Sequence, residues 1–239
     1  MQHEFRIGGD PDATAELVAD PSRSEEGPAA ARSRLRGYLP AGVRMPAPGG
    51  WAAAADLLHY VVGLVREHRP SRIVEIGSGT STCWLAWALE VFDLPGRVVS
   101  LEHLSLFRRR TLNRLHACGV GHRAEVRHAA LTDVDVDGVT YRWYDPMSWR
   151  DLRDCDLLLV DGPPGHTGRM ARYPAVPLLG SALRPGARVV LDDYRRADEQ
   201  KAVAAWRRRH PDWHLQVLEH KKRTAVLTVT ARPAGAHPA

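Results

Sequence analysis

Cysteine and long apolar stretches are scarce in this chain. It has three cysteines in 239 residues, Cys83, Cys118 and Cys155, which are far apart and form no CxxC pair. This odd number and spacing argue against a disulfide framework and a zinc site, and indicate a reducing compartment. No stretch approaches the roughly 20 apolar residues of a spanning helix, and the N-terminal segment lacks an apolar signal region. We therefore expect a cytoplasmic protein that does not associate with a membrane.

Lysine is also scarce, although the chain is basic overall. The net charge is +5 and the pI about 9.4, yet lysine occurs only at positions 201, 221 and 222, so arginine carries most of the positive charge. The basic clusters at 108–110, 207–209 and 221–223 lie beside apolar residues of helical or strand runs. This pattern favours solvated faces of separate elements over one surface that follows phosphates. It disfavours nucleic acid as the partner.

The composition is that of one folded α/β domain with less regular ends. Hydrophobic residues make up 44% and charged residues 26% of the chain, a mixture typical of globular proteins. Residues 1–50 are rich in Pro, Gly, Ala, Asp and Ser, with weak helical patterns at 13–18 and 29–38. We predict that residues 1–50 form an irregular or helical lid or tail. Residues 51–231 then form the main domain, and residues 232–239 a disordered tail.

After the N-terminal segment, aliphatic runs alternate with helical patterns. Strands are predicted at 72–76, 97–102, 124–130, 156–161 and 187–192. Helices are predicted at 51–68, 81–91, 104–118, 173–183 and 198–209. The last two strands, 213–219 and 224–230, are joined by only four residues, too few for a parallel crossover, so they should be antiparallel. We predict a Rossmann-like α/β fold, with a seven-stranded mixed sheet and helices on both faces.

An aromatic-rich segment at 138–149 lies between the third and fourth predicted strands. It contains VTYRWYDPMSW and no helical period. The first interpretation is a strand or hairpin that packs Trp143 against the edge of the sheet. The alternative is a segment that contacts the substrate.

The most informative sequence is IVEIGSGTSTCWLA at 73–86. A buried strand ends at Glu75 and Ile76, a glycine turn follows, and a helix begins near Ser81. Glycine at such a turn lets the backbone approach a ligand closely, although an ordinary tight turn would also explain it. A dinucleotide site would have a third glycine where this chain has Thr82. The fit to a nicotinamide cofactor is therefore poor.

The turn matches the E/D-x-G-x-G motif of class I methyltransferases, and the chain resembles that family over residues 51–230. The resemblance implies that the turn, with Gly77, Ser78 and Gly79, binds S-adenosylmethionine. Gly77 and Gly79 would line its amino-acid part, and Glu75 would recognise its ammonium group.

Two further cofactor contacts are expected at the ends of the next strands. Glu102 ends the second strand, where an acid can accept two hydrogen bonds from a ribose diol. A solvated glutamate at a strand end is the alternative. The adenine contact is expected near the end of the third strand, with Leu131 as its candidate.

Three carboxylates follow the fourth and fifth predicted strands. Asp161 ends LLLVD, and Asp192 and Asp193 end VVLDD, and we expect no lysine among these acids. Carboxyl ends of parallel strands face one crevice, and like charges gathered there are stabilised by a cation between them. In the alternative, one aspartate caps the next helix and another pairs with Arg195 or Arg196.

This arrangement resembles the metal-dependent O-methyltransferases of the catechol and macrocin types. The resemblance implies that Asp161, Asp192 and Asp193 hold a divalent cation, for which Mg²⁺ is expected. Short motifs, DGPPGHTGRM and DDYRRADE, also resemble the glucuronoxylan O-methyltransferases, whose substrates are sugars. The catalytic lysine of the catechol type falls on Pro164 here. The general base is therefore expected to be His166 or Asp161.

Several arginines accompany these motifs. Arg169 and Arg172 follow in a loop, where they would grip the acceptor or pair at the surface. Arg195 and Glu199 have the spacing of an ordinary helical ion pair.

The resulting prediction is an S-adenosylmethionine-dependent O-methyltransferase that acts on a hydroxyl of a small molecule or sugar with a divalent metal. Alternatives are an N-methyltransferase, another transferase on the same fold, or a non-catalytic nucleic-acid-binding module. N-methyltransferases commonly carry Asn/Asp-Pro-Pro-aromatic after the fourth strand, and this chain has Asp161, Gly162, Pro163 and Pro164 there. A homodimer is compatible with the sequence.

Overall fold

The computed structural model describes residues 28–40, 42–49 and 52–230. Its helices are α1 (Pro28–Gly37), α2 (Ala55–His68), α3 (Thr80–Val91), α4 (Ser105–Ala117), α5 (Ala175–Leu179) and α6 (Ala197–Arg209). Its strands are β1 (Arg72–Ile76), β2 (Arg97–Glu102), β3 (Ala124–His128), β4 (Leu131–Val136), β5 (Val139–Tyr144), β6 (Cys155–Val160), β7 (Leu183–Leu191), β8 (His214–Leu218) and β9 (Thr224–Thr228).

The main sheet has seven strands in the order β3-β2-β1-β6-β7-β9-β8. Pairings among the first five are parallel, whereas β9 is antiparallel to both β7 and β8. This confirms the predicted Rossmann-like mixed sheet and its antiparallel last pair. The chain passes from β1 to β2 on one side and later returns beside β1 with β6. That change of direction opens a crevice at the carboxyl ends of β1 and β6, where α/β sheets bind ligands.

Alternating side chains bury both faces of the sheet. In β1, Ile73 packs into one core cluster with α2 and α3, and Val74 and Ile76 pack into a second cluster with α6. Strand β6 repeats the pattern, with Leu157 in the first cluster and Leu158 in the second. A strand covered on both faces favours apolar residues at nearly every position, which is why these two segments are predominantly hydrophobic, with Glu75 as the buried exception in β1.

Part of the N-terminal region packs on the first of these faces. The helical pattern at 29–38 corresponds to α1, whose Leu35 is 2% exposed within the first core cluster. The indole nitrogens of Trp84 and Trp87 donate to the carbonyls of Pro46 and Tyr38. Residues 1–27 and 231–239 lie outside the described residues. They include the helical pattern at 13–18 and the predicted tail at 232–239. The lid and the domain boundaries remain predictions.

Several boundaries differ from the sequence-based predictions. The helix predicted at 51–68 begins at Ala55, and residue 51 lies outside the described residues. Strand β3 ends at His128 instead of residue 130. The helix predicted at 173–183 is only Ala175–Leu179, followed by a short 3₁₀ turn, because β7 already begins at Leu183. Pairing of Leu183 with Cys155 of β6 outweighs the local helical pattern.

The aromatic segment contains β5, which pairs with β4 in a β-hairpin separate from the main sheet. Its two-residue turn is Asp137-Gly138, both with positive φ, of 55° and 77°. This Asp-Gly dipeptide is a strong hairpin signal that the strand prediction did not use. Trp143 is fully buried in the second core cluster, which supports the strand or hairpin interpretation.

Candidate functional site

The two glycines of the turn after β1, Gly77 and Gly79, have different surroundings. Gly77 has a φ of +97°, and a Cβ there would lie 3.2 Å from the Gly162 nitrogen and 3.3 Å from the Asp161 carbonyl carbon. Glycine is required at 77 because the ends of β1 and β6 meet there. At Gly79 an added Cβ would have no atom within 4 Å. The backbone at Gly79 therefore borders open space that a ligand can fill.

Thr82 explains the departure from a dinucleotide motif. Its buried hydroxyl accepts a hydrogen bond from the Gly79 nitrogen at 2.8 Å and donates to Glu75 Oε2 at 2.5 Å. A glycine at this position could make neither bond. The helix start and the acid are thus joined through one side chain.

Glu75 is a buried acid with one unpaired oxygen. Oε2 accepts hydrogen bonds from Thr82 and from Ser100 at 2.6 Å, whereas Oε1 has no partner. Burial raises the pKa of Glu75 above its ordinary value, against the hydrogen bonds from its neighbouring hydroxyls. A buried acceptor without a partner beside the glycine turn fits an ammonium group of a ligand.

Glu102 is held in place by its neighbours at the end of β2. Its Oε2 accepts from Ser78 Oγ at 3.0 Å, and its Oε1 accepts from the Leu104 nitrogen at 2.9 Å. His103 Nδ1 lies 3.2 Å from Oε1 but is not directed along a hydrogen bond. Burial works to raise the pKa of Glu102, but these polar neighbours outweigh it, and the pKa lies below its ordinary value. The ionised carboxylate suits the predicted ribose contact.

The remaining predicted cofactor residues are Ser78, in the glycine turn, and Leu131, at the start of β4. Ser78 binds Glu102 through both its hydroxyl and its backbone nitrogen. Leu131 is partly buried at the start of β4, three residues beyond the last residue of β3, His128, and packs on the second core cluster. Its adenine contact remains a prediction.

The structure brings the three predicted metal ligands together. One carboxylate oxygen from each of Asp161, Asp192 and Asp193 lies within 4.8 Å of the other two. Asp192 and Asp193 are buried, and Asp161 is partly exposed. The spacing and the hard oxygen donors fit a divalent cation.

Three cationic side chains pair with these acids, and sequence reasoning missed two of them, Lys222 and Arg172. The expectation that no lysine lies among the aspartates is wrong, because Lys222 Nζ lies 3.4 Å from Asp192 Oδ2 and 3.6 Å from Asp193 Oδ1. Lys222 comes from the turn between β8 and β9, so only the folding of that antiparallel pair over β7 brings it here. No local sequence signal links it to the aspartates.

The second cation is Arg172, which neither grips an exposed acceptor site nor pairs at the surface. Its side chain is 4% exposed, and Nη2 lies 3.1 Å from Asp161 Oδ1 and 3.0 Å from Asp193 Oδ2. The guanidinium also donates to the backbone carbonyls of Asp161 and Asp192. Arg172 therefore joins the carboxyl ends of β6 and β7.

The ion pairs around α6 also differ in detail from the prediction. Arg196 pairs with Asp193 at 3.0 Å, as the alternative interpretation of the aspartates expected. The predicted pair of Arg195 with Glu199 is wrong, since Glu199 lies 3.6 Å from Arg196 and 3.7 Å from Arg172. Glu199 is buried, so it faces the cluster instead of the solvated side of the helix.

Charge and burial set the protonation of this cluster. Burial raises the pKa of Asp161 to about 7, with Arg172 opposing the shift and Asp192 and Asp193 adding to it. Burial and the adjacent Asp193 also raise the pKa of Asp192. The acids outweigh burial at Lys222 and raise its pKa, so the ammonium stays charged.

The other candidate base lies apart from this network. His166 is exposed on the 3₁₀ turn Gly165–Thr167, next to Pro164. Within the part of the chain that the structure describes, it makes no hydrogen bond or ion pair. Asp161 is the candidate whose pKa suits proton transfer near neutrality.

Across the described residues, every helix is too short or too polar to cross a membrane.

Several solved structures share the fold. An O-methyltransferase from Bacillus cereus in complex with S-adenosylhomocysteine is 16% identical with a TM-score of 0.56, over 91% of this chain and 94% of that one. The O-methyltransferase TomG from Streptomyces achromogenes, in complex with S-adenosylmethionine, is 21% identical with a TM-score of 0.51, over 87% and 92%. The methyltransferase PaMTH1 from Podospora anserina, bound to S-adenosylhomocysteine, is 13% identical with a TM-score of 0.60, over 96% and 100%. At these identities the likeness shows the fold.

The family is shown by the sequence itself. No curated protein matches the chain in sequence. The model of the methyltransferase domain family matches residues 74–194, just over half of the chain, including the glycine turn and the three clustered aspartates. The chain therefore belongs to the methyltransferase domain family, as a class I methyltransferase that depends on S-adenosylmethionine.

Proposed function

We propose that this protein transfers the methyl group of S-adenosylmethionine to a hydroxyl oxygen of a small molecule or sugar, assisted by a divalent cation. The observation that carries the proposal is the contact between the glycine turn and the acid cluster. A Cβ on Gly77 would lie 3.3 Å from the Asp161 carbonyl carbon. A methyl donor bound along the turn would thus present its sulfonium beside carboxylates that can orient and deprotonate an alcohol.

The transfer itself is an in-line displacement. The acceptor oxygen attacks the methyl carbon, the carbon–sulfur bond breaks, and S-adenosylhomocysteine leaves. Catalysis then depends on holding the two reactants in near-attack geometry, which rigid strand ends are suited to do. Glu75 and Glu102 would fix the donor at its ammonium and ribose groups. Arg172, which ties the ends of β6 and β7 together, would keep Asp161 in place.

Asp161 is proposed as the general base. Without a cation its pKa is about 7, so the carboxylate is partly ionised near neutrality and can take a proton from a hydroxyl. A bound cation would favour its ionised form. His166 is the alternative, but its exposed position and lack of partners leave nothing to orient it toward the crevice.

The cation would be held by Asp161, Asp192 and Asp193. When bound, it would supply Lewis acidity that lowers the pKa of the acceptor hydroxyl. The three carboxylate oxygens that lie within 4.8 Å of one another favour a cation there. Three cationic side chains, Arg172, Arg196 and Lys222, pair with the same acids and reduce the net attraction for it.

Oxygen is proposed as the methyl acceptor for two reasons. The Bacillus and Streptomyces proteins of the same fold are O-methyltransferases by name. In addition, the loop after β6 has Gly162, Pro163 and Pro164 after the aspartate, in place of the Pro-Pro-aromatic loop of many N-methyltransferases. The class of acceptor, a small molecule or a sugar, rests on resemblance of motifs.

The test is a methyl-transfer assay with radiolabelled S-adenosylmethionine and a panel of sugars, phenols, aliphatic alcohols and amines. We expect label in hydroxyl acceptors, loss of turnover with EDTA and recovery with Mg²⁺. Label only in amines would overturn O-methylation, and full turnover in metal-free protein would overturn the role of the cation.

Variants separate the cofactor site from the acid cluster. Asp192→Ala should lose most turnover and keep its affinity for S-adenosylhomocysteine, measured by calorimetry. Asp133→Ala, an exposed acid on β4, is the matched control and should change neither. His166→Ala should retain turnover if Asp161 is the base.

A further inference from the structure

A buried tyrosine hydroxyl at the crevice has no hydrogen-bond partner. Tyr144, the last residue of β5, is 0% exposed, and its hydroxyl is among the few buried polar atoms of the described residues that lack a partner. Glu75 Oε1, at the same crevice, is another. Buried polar atoms are nearly always paired, so two such atoms at one crevice point to a ligand that pairs with them.

The hydroxyl lies at the carboxyl ends of the central strands. A Cβ on Gly162, just after β6, would lie 2.5 Å from the Tyr144 oxygen, so glycine at this position makes room for it. The same Cβ would lie 3.1 Å from the Gly77 Cα. The hydroxyl is therefore next to the turn that borders the cofactor.

The Tyr144 ring lies on the Glu102 side of the crevice, because it packs against His103, the residue after Glu102, with ring centres 6.1 Å apart. Burial raises the pKa of Tyr144 well above its ordinary value; among charged neighbours Glu102 adds most to the shift, and Arg172 opposes it. The hydroxyl thus stays protonated and can donate. Its strongest charged neighbour is the proposed ribose anchor.

The ring of Tyr144 is held on several sides. It packs edge-on against Trp143, with ring centres 5.4 Å apart, and against His103 at 6.1 Å. Its backbone carbonyl accepts from the Trp149 indole at 2.9 Å. The hydroxyl cannot readily turn away to find water, so its position is set before a ligand arrives.

We propose that the Tyr144 hydroxyl donates a hydrogen bond to the ribosyl part of S-adenosylmethionine, beside the acceptor oxygens of Glu102. This makes the β4–β5 hairpin part of the cofactor site. The inference rests on S-adenosylmethionine as the methyl donor, and it is independent of the acceptor and of the cation.

The test is Tyr144→Phe, which keeps the ring and removes only the hydroxyl. We expect the dissociation constant of S-adenosylhomocysteine to rise about 3- to 10-fold by calorimetry, the effect of one lost hydrogen bond. Methylthioadenosine, which has the nucleoside but no amino acid, should lose affinity by the same factor. Without ligand, the melting temperature should stay the same or rise, because the hydroxyl has no partner to lose.

Tyr141→Phe is the matched control, since Tyr141 lies on the same strand and its ring faces Tyr173 instead of the crevice. It should leave both affinities unchanged. If Tyr144→Phe does not fold, 4-fluorophenylalanine at position 144 removes the donor and nearly conserves the volume.

The outcomes separate this inference from the methyltransferase assignment. Wild-type protein that binds neither ligand would contradict the assignment itself. Unchanged affinity of the Tyr144 variant, or a loss confined to S-adenosylhomocysteine, would overturn the ribosyl contact alone.

Discussion

Arg172 Nη2 lies 3.0 Å from Asp193 Oδ2, with both side chains less than a tenth exposed. Removing the arginine would leave buried carboxylates without their main counter-charge. We expect Arg172→Met to lower the free energy of unfolding by about 3–5 kcal/mol, the usual effect of breaking a buried ion pair. Urea denaturation at constant pH measures it.

The control for this change is Arg142→Met, which breaks an exposed pair with Asp133 on the hairpin. It should change the free energy of unfolding by less than about 1 kcal/mol. Equal effects of the two substitutions would show that Arg172 has no special structural role.

Lys222 occupies the side of the acid cluster that faces Asp192. Because its ammonium competes with any other cation for these oxygens, Lys222→Met should lower the dissociation constant for Mn²⁺, measured by calorimetry. Lys221→Met is the control, since the adjacent lysine is exposed and should have no effect. Weaker Mn²⁺ binding in the Lys222 variant would contradict competition at this cluster.

The acid cluster should also make stability depend on pH. The folded pKa of Asp161 is about 7 and its ordinary value is 3.8, so between these values the folded protein retains a proton that the unfolded chain has lost. The contribution to stability is present below 3.8 and is lost as the pH rises through about 7. Asp192, whose pKa is also raised, acts in the same direction.

Asp161→Asn should therefore show a shallower fall in the free energy of unfolding from pH 4 to pH 7 than the wild type. Urea denaturation in EDTA across this range is the measurement. Parallel pH profiles for the two proteins would exclude Asp161 as the group responsible.

The two glycines of the turn should respond differently to substitution. Gly79→Val should abolish binding of S-adenosylhomocysteine without unfolding the domain, because the added atoms enter the ligand's space and meet no protein atom within 4 Å of Cβ. Gly77→Val should instead lower the melting temperature, since it forces a side chain onto a positive φ and against Gly162. Calorimetry and thermal denaturation distinguish them. A Gly79 variant that still binds would place the cofactor elsewhere.

Local patterns in the sequence determined the alternation of strands and helices that builds the crevice, and the residues at its rim. Aliphatic runs alternate with helical periods, and this alternation alone implies parallel strands with their carboxyl ends at one edge. The glycine turn with Glu75, and the acids Asp161, Asp192 and Asp193, directly follow such strands. Their convergence could be predicted because parallel strands all end at the same edge of the sheet.

Only the tertiary structure decided what those residues touch. Lys222 is 30 residues from Asp192 along the chain and reaches it through an antiparallel pair, and Tyr144 enters the crevice from a hairpin outside the main sheet. No periodicity or spacing in the sequence predicts either contact, because each contact depends on how separate elements pack. The same packing buries Arg172 among the acids and gives Asp161 its raised pKa. The sequence thus specifies which groups stand at the crevice, and the fold specifies their charge state and partners.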